Sequence, residues 1–176
     1  MTAVRHDTVL KVVDIVGHPG SSRPLDLALG VPDQLDLPVA EVSEPVLMQG
    51  VIESVVEGLL VRGALSAALR LECARCLEPL EGKVRADFAE LFSDPDDVED
   101  ADAIDPGYEI AEGTIDVVTL LRDTLVPSVP LQPLCQVACA GLCPTCGANW
   151  NQAECGCADE VSDPRWQALQ QLDLPD

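Results

Sequence analysis

The eight cysteines of the chain fall in two places, and their spacing restricts the folds that the chain can adopt. Two form the motif CARC at residues 73–76, and the other six lie between residues 135 and 157. Two residues between cysteines let a tight turn bring both sulfurs onto one metal ion, and a tetrahedral zinc site takes four ligands. Eight cysteines are therefore enough for two closed sites.

The stretch CPTCG at residues 143–147 is the clearest zinc-knuckle motif. Its proline presets the backbone angle of the turn, and Gly147 can take the positive φ that continues the turn. We therefore predict two structural zinc ions. The second site comprises Cys143, Cys146, Cys155 and Cys157. The first site comprises Cys73, Cys76, Cys135 and Cys139.

Other uses of these cysteines stay open at the level of sequence. Residues 1–20 lack the uncharged stretch of roughly 7–15 residues that a secretory signal needs, so we expect a cytoplasmic protein with reduced thiols and no membrane contact. A redox pair usually opens a helix beside a βαβ unit, whereas CARC follows a predicted strand. An iron–sulfur cluster also uses four thiolates. A thiol-based redox or metal-sensing protein therefore remains an alternative.

Hydrophobic periodicity predicts an antiparallel meander upstream of the cysteine-rich tail. In residues 59–72, LLVRGALSAALRLE, apolar side chains recur at odd positions, as in a half-buried strand. Residues 46–56 and 83–88 alternate in the same way, and Glu57-Gly58 offers a turn between the first two strands. Segment 8–16 is a weaker strand candidate.

The remaining segments predict an acidic loop and two helices. Residues 94–116 contain ten acids and no base, which indicates a mobile, solvated loop, with a partner-binding arm as the alternative. Residues 116–126 carry apolar side chains at helical spacing, with Thr114 or Asp116 as a cap and Pro127 as a stop. Asp163-Pro164 begins a predicted C-terminal helix.

The expected fold class is therefore α+β: an antiparallel β-meander with one or two packed helices and a small cysteine-rich zinc-knuckle tail. We predict an α+β domain over residues 1–139, with its acidic loop at 93–114. The zinc-knuckle tail is predicted at 140–162 and the terminal helix at 163–176.

The histidines give little support to catalysis. The chain has two, His6 and His18, and no nucleophile constellation lies beside them. A site closed by four cysteines has no coordination position for substrate or water. We therefore expect a protein that is not an enzyme and has no small-molecule substrate.

The cysteine motifs together resemble those of the YceD-like family, named for large-subunit ribosomal RNA accumulation. The resemblance rests on CARC, on IDVVTLLRDTLVPSVPLQPLC at 115–135 and on CAGLCPTCGANWN at 139–151. The family motif Cys-x-Arg-Cys is matched by Cys73, Arg75 and Cys76, whereas Trp150 replaces the usual leucine of the tail. The resemblance implies a role in accumulation of 23S rRNA or maturation of the large subunit. It also supports the grouping of Cys135 and Cys139 with the CARC pair.

Charge gives two hypotheses about the partner. Residues 1–85 hold 12 acids and 8 bases, a net −4, whereas residues 86–176 hold 19 acids and 2 bases, a net −17. Such a surface attracts a basic ribosomal protein, or a large-subunit precursor that contains one, and makes rRNA contact weak or indirect. The alternative is direct rRNA binding by a basic strand face. Its candidate residues are Arg62, Arg70, Arg75, Lys83 and Arg85.

Overall fold

The computed structural model describes residues 4–31, 37, 40–42, 45–95 and 107–157. Over these residues the chain is mostly β-structure with one short α-helix, consistent with the predicted α+β class. The strands are β1 (Val9–Lys11), β2 (Ser22–Leu29), β3 (Ala40–Val42), β4 (Val46–Val55), β5 (Gly58–Glu72), β6 (Pro79–Phe92) and β7 (Thr114–Asp116). Helix α1 (Val118–Leu125) runs into a 3₁₀ turn at Val126–Ser128.

Five strands form the main antiparallel sheet. Strand β4 lies between β2 and β5, and β6 pairs along the other edge of β5. Strand β3 pairs with residues 69–71 of β5, beyond the end of β4. The predicted meander of β4, β5 and β6 is confirmed, because each strand pairs with the next one along the chain.

Strand β2 is not predicted from the sequence, because its side chains do not keep a regular alternation. Leu27, Ala28 and Leu29 are buried in succession, so the period of two is lost where the strand ends. Pro24 also lowers the strand signal, since proline is confined to strand edges and bulges. In β5, by contrast, the odd-numbered apolar residues face the core as predicted.

Helix α1 packs against the inner face of β5 and β6. Leu120, Leu121 and Leu125 are fully buried, and the helix begins two residues after the predicted start. Asp116 accepts a hydrogen bond at 3.0 Å from the backbone N–H of Val118. Strand β7 leads into the helix and pairs with β1 in a small second sheet. Of the weak strand candidate at 8–16, the structure forms a strand at Val9–Lys11 and then a turn.

The prediction of a solvated acidic loop over residues 94–116 is wrong for its last ten residues. Tyr108 and Ile110 are buried in the core, and the Tyr108 ring lies 5.2 Å from that of Phe92. The Tyr108 hydroxyl donates to Asp123 at 3.1 Å. Burial, together with this carboxylate, raises the pKa of Tyr108. The acidic composition of the segment therefore masked three core residues, Tyr108, Ile110 and Ile115. Residues 96–106 lie outside the described part.

The predicted C-terminal helix at 163–176 also lies outside the described residues. Within the described segments, no helix has the length and apolar character needed to cross a membrane.

Candidate metal centres

The first group of cysteines, Cys73, Cys76, Cys135 and Cys139, lies where β5 ends and β6 begins. The CARC motif forms the turn between these strands. The later pair arrives from the segment after α1, which is tied to the turn by a 2.8 Å hydrogen bond from the Ala74 N–H to the Pro133 carbonyl. Three of the four cysteines are buried, and Cys135 is exposed. The centre therefore joins the sheet to a segment about 60 residues further along the chain.

The sulfur positions in this group fit a single tetrahedral ion. The four Sγ atoms lie within 4.8 Å of one another. Cys73 Sγ is 3.7 Å from Cys139 Sγ, and Cys76 Sγ is 3.6 Å from Cys135 Sγ. A tetrahedron with zinc–sulfur bonds of about 2.3 Å has edges of about 3.8 Å. The cysteines therefore stand at the separation that such an ion requires.

Backbone N–H groups stabilise thiolates in the first centre. Donors from Cys76, and also from Cys135 and Arg75, lower the pKa of Cys73 to about 6 despite its burial. Burial opposes ionisation of Cys139, but a hydrogen bond from Asn151 helps to hold its pKa below the usual range. Desolvation raises the pKa of Cys135 to about 12. A divalent cation among the sulfurs would favour the deprotonated form of all four thiols.

The second group, Cys143, Cys146, Cys155 and Cys157, is formed within fifteen residues and is more open to solvent. Its four Sγ atoms also lie within 4.8 Å of one another, and one cysteine, Cys143, is buried. Backbone N–H groups of Cys146 and Thr145 lower the pKa of Cys143 to about 6. A hydrogen bond with Cys146, reinforced by desolvation, raises the pKa of Cys157 to about 12. The grouping is the predicted one, and its metal binding stays a prediction.

The two cysteine turns have the same backbone construction. In the first, Leu77 N–H donates to the Cys73 carbonyl at 2.9 Å, and Leu77 has φ of 61°. In the second, Gly147 N–H donates to the Cys143 carbonyl at 2.9 Å, and Gly147 has φ of 73°. The sequence analysis identified the glycine but missed that Leu77 holds the equivalent position. The signal was present in the alignment of CARCL with CPTCG.

Side chains of the segment between Cys146 and Cys155 contact the first centre and its turn. The Asn151 side-chain amide donates to Cys139 Sγ at 3.3 Å, while its oxygen accepts from the Ala140 N–H at 2.9 Å. Asn149 and Gln152 both donate to Glu78 Oε1, at 3.3 and 3.1 Å. Sequence reasoning missed these polar residues, because spacing identifies ligands and not the side chains around them. The segment that links Cys146 to Cys155 therefore contacts a cysteine of the first centre.

Three of the five predicted RNA-contact residues already have partners within the protein. Arg62 binds Glu53 through two hydrogen bonds of 2.6 and 2.9 Å, and this contact lowers the pKa of Glu53. Arg70 pairs with Glu41 at 3.0 Å. Arg75 donates to the Cys139 carbonyl at 2.8 Å and so braces the first centre.

The other two predicted RNA-contact residues are Lys83 and Arg85. Both are exposed, and the register of β5 with β6 places them on the outer face of the sheet beside Arg62 and Arg70. The structure therefore places four of the five residues on one face, with two of them in ion pairs.

Comparison with known proteins identifies the family of the chain. The sequence model of a family described as Large ribosomal RNA subunit accumulation protein YceD matches residues 61–173, a range that contains both cysteine groups. The chain belongs to the YceD family. No solved structure matches the chain.

Relatives of the YceD chain occur in bacteria and in plants. An uncharacterized protein of Mycobacterium tuberculosis is 34% identical over 177 residues, covering 97% of this chain and 85% of the relative. The Arabidopsis thaliana protein named Large ribosomal RNA subunit accumulation protein YCED homolog 1, chloroplastic, is 26% identical over 142 residues. That match covers 65% of this chain and 44% of the plant protein. A Zea mays protein of the same name is 27% identical over 173 residues, covering 82% and 59%.

Proposed function

We propose that this protein is a non-enzymatic ribosome biogenesis factor that supports accumulation of large-subunit (23S) rRNA. The observation that carries the proposal is the YceD family match, which spans residues 61–173. The names of the two plant relatives also refer to large ribosomal RNA subunit accumulation. We propose further that the protein holds two structural zinc ions and acts by binding a basic ribosomal protein or an assembly intermediate that contains one.

The geometry of the cysteine groups supports zinc in both. Four thiols within 4.8 Å of one another surround a single ion, whereas a multi-iron cluster is a larger body and would hold the sulfurs further apart. Four cysteine ligands occupy all four coordination positions of a tetrahedral ion, so none is left for a substrate or a reactive water. The ions would therefore hold the fold together, and the cysteines would not take part in a reaction.

The charge distribution supports a basic protein as the direct partner. The chain has a net charge of −21, of which −17 falls in residues 86–176. Four thiolates on one Zn²⁺ leave a charge of −2, so two filled centres add about −4. This field attracts basic proteins and repels phosphate over long distances.

Direct rRNA binding is the second candidate function, and one observation favours it. Lys83 and Arg85 are exposed side by side on the outer face of the sheet and make no ion pair with the residues that the structure describes. Two free cations neutralise few phosphates, so such binding would be weak and would depend only slightly on salt.

Two experiments test the proposal. Native mass spectrometry with metal analysis is expected to find two zinc ions per chain; iron with sulfide, or reduced thiols without metal, would contradict the zinc assignment. Cells that lack the protein are expected to accumulate less large-subunit rRNA than cells that express it. Unchanged rRNA levels would contradict the biogenesis role.

A pull-down from cell extract, before and after RNase treatment, separates the two partner hypotheses. A basic ribosomal protein that stays bound after RNase treatment supports direct protein binding. If all ribosomal proteins are lost while the purified protein binds 23S rRNA fragments tightly, the RNA-binding alternative is correct.

A further inference from the structure

Leu77 occupies a backbone conformation that a leucine rarely adopts. It is one of two non-glycine residues with positive φ in the described parts of the chain, and its equivalent in the second cysteine turn is Gly147. A branched side chain in the left-handed region is strained by contact between Cβ and the following carbonyl. The positive φ of the turn favours glycine at this position, but the sequence has leucine there.

Burial does not explain the choice of leucine. The residue is 60% exposed, so its side chain gains little by leaving water in the isolated protein. A strained and exposed apolar residue is better explained by a contact that forms when something binds, since strained residues cluster at binding sites.

Leu77 lines a groove next to the first cysteine centre. Ala74, Pro79, Leu131 and Pro133 are further apolar lining residues. The groove has a volume of about 510 Å³, and Leu131 is 83% exposed. Its apolar walls therefore have room for one or two side chains of a partner.

The charged residues that line the groove favour a cationic partner. Glu72 makes no ion pair with the described residues, and Glu41 neutralises Arg70, the one cation among the described lining residues. The groove therefore has an excess of negative charge, within a protein of net charge −21. Apolar lining residues together with the Glu72 carboxylate suit a leucine-like side chain flanked by lysine or arginine.

We propose that this groove is the docking site for an apolar side chain in a basic polypeptide segment of the partner protein. The inference rests on the proposed function, because it identifies where the basic ribosomal protein binds. Nucleic acid is the less suitable occupant, because the groove has no unpaired cation among its described residues to meet a phosphate.

The test uses the full zinc-loaded chain and two probes: RNA-free protein extracted from purified large ribosomal subunits, and protein-free 23S rRNA. The protein retained from the first probe is identified, and its Kd is measured for each variant. Leu77→Gly is expected to weaken binding about tenfold or more, as when one buried leucine contact is lost. It is also expected to leave the Tm equal or higher, because glycine relieves the backbone strain.

Further variants separate the groove from general effects. Leu131→Ser, at a second apolar lining residue, is expected to weaken binding to a similar extent. Glu72→Gln is expected to weaken binding about two- to threefold, more at low salt. The control is Val56→Ser, which removes an 85% exposed apolar side chain from the turn between β4 and β5, away from the groove. This control is expected to bind like the unaltered protein.

The outcomes distinguish failure of the groove from failure of the proposed function. If a basic protein is retained but Leu77→Gly and Leu131→Ser bind it normally, the docking site is wrong and the proposed function stands. If the unaltered protein retains no large-subunit protein, the partner in the proposed function is wrong, and the groove proposal falls with it. Tight 23S rRNA binding that is lost in Leu77→Gly would also overturn the proposal, because it would make RNA the occupant.

Discussion

The two cysteine centres each contain a backbone turn of the same type, but they connect different parts of the chain. The first joins segments 59 and 66 residues apart and is mostly buried at the end of the main sheet. The second is formed within residues 143–157, and most of it is accessible to solvent. A metal ion that closes a long loop removes more freedom from the unfolded chain than one that closes a short loop. The same chemistry is therefore expected to contribute unequally to stability.

Removal of one ligand from each centre tests this inequality. Cys73→Ser is expected to lower the Tm by on the order of 10 °C or more, because loss of the first ion frees the sheet from the segment after α1. Cys155→Ser is expected to lower the Tm less, while each variant retains one zinc ion. Thermal melting and metal analysis of both variants provide the measurement, and equal losses of stability would contradict the comparison.

Acidification is expected to empty the centres in order. Backbone N–H donors hold the pKa of Cys73 and Cys143 at about 6, below the usual thiol value near 9. A lowered pKa means that the thiolate is present above that value and is lost as the pH falls through it. Because protons compete with the metal ion for the thiolates, zinc content is expected to decline as the pH falls, from the exposed second centre first. Zinc release measured with a dye against pH would show two steps, and simultaneous release would contradict the order.

Asn151 tests whether the two centres act independently. Its amide donates to Cys139 Sγ, and replacement of a residue that supports a metal ligand typically lowers metal affinity by about 10–100-fold. Asn151→Ala is therefore expected to weaken zinc binding in the first centre, although Asn151 lies between Cys146 and Cys155 of the second. Competition with a chelator measures this effect. Gln152→Ala, which loses a contact to Glu78 and none to sulfur, is the control.

Exchange of residues between the equivalent turn positions is expected to have the smallest effect on stability. Leu77→Gly relieves a strained leucine, and Gly147→Leu introduces the same strain in the second turn. Each change is expected to alter the free energy of unfolding by about 1 kcal/mol, in opposite directions. Denaturant unfolding of both variants measures the difference. A large loss of stability in Leu77→Gly would mean that the leucine packs within the fold, against the docking proposal.

The parts of the molecule predicted well from sequence were those with a regular local signal. Alternation predicted β4 and β5, and helical spacing predicted the buried face of α1. The prediction failed for β2, where three successive residues are buried. It also failed for Tyr108, which is buried in the core although it lies in an acidic segment. In both cases a distant part of the chain provides the burial, and a local window does not contain it.

Cysteine spacing and periodicity determined which residues form knuckles and which strands precede them, because both depend on neighbours a few positions away. Tertiary structure decided how the surrounding side chains are used. It pairs Arg62 and Arg70 with carboxylates and directs Arg75 to the first centre. It also brings Leu77 and Leu131, which is 54 positions further along the chain, into the lining of one groove. Such contacts depend on where the sheet carries each segment, and residue type and spacing do not encode that position locally.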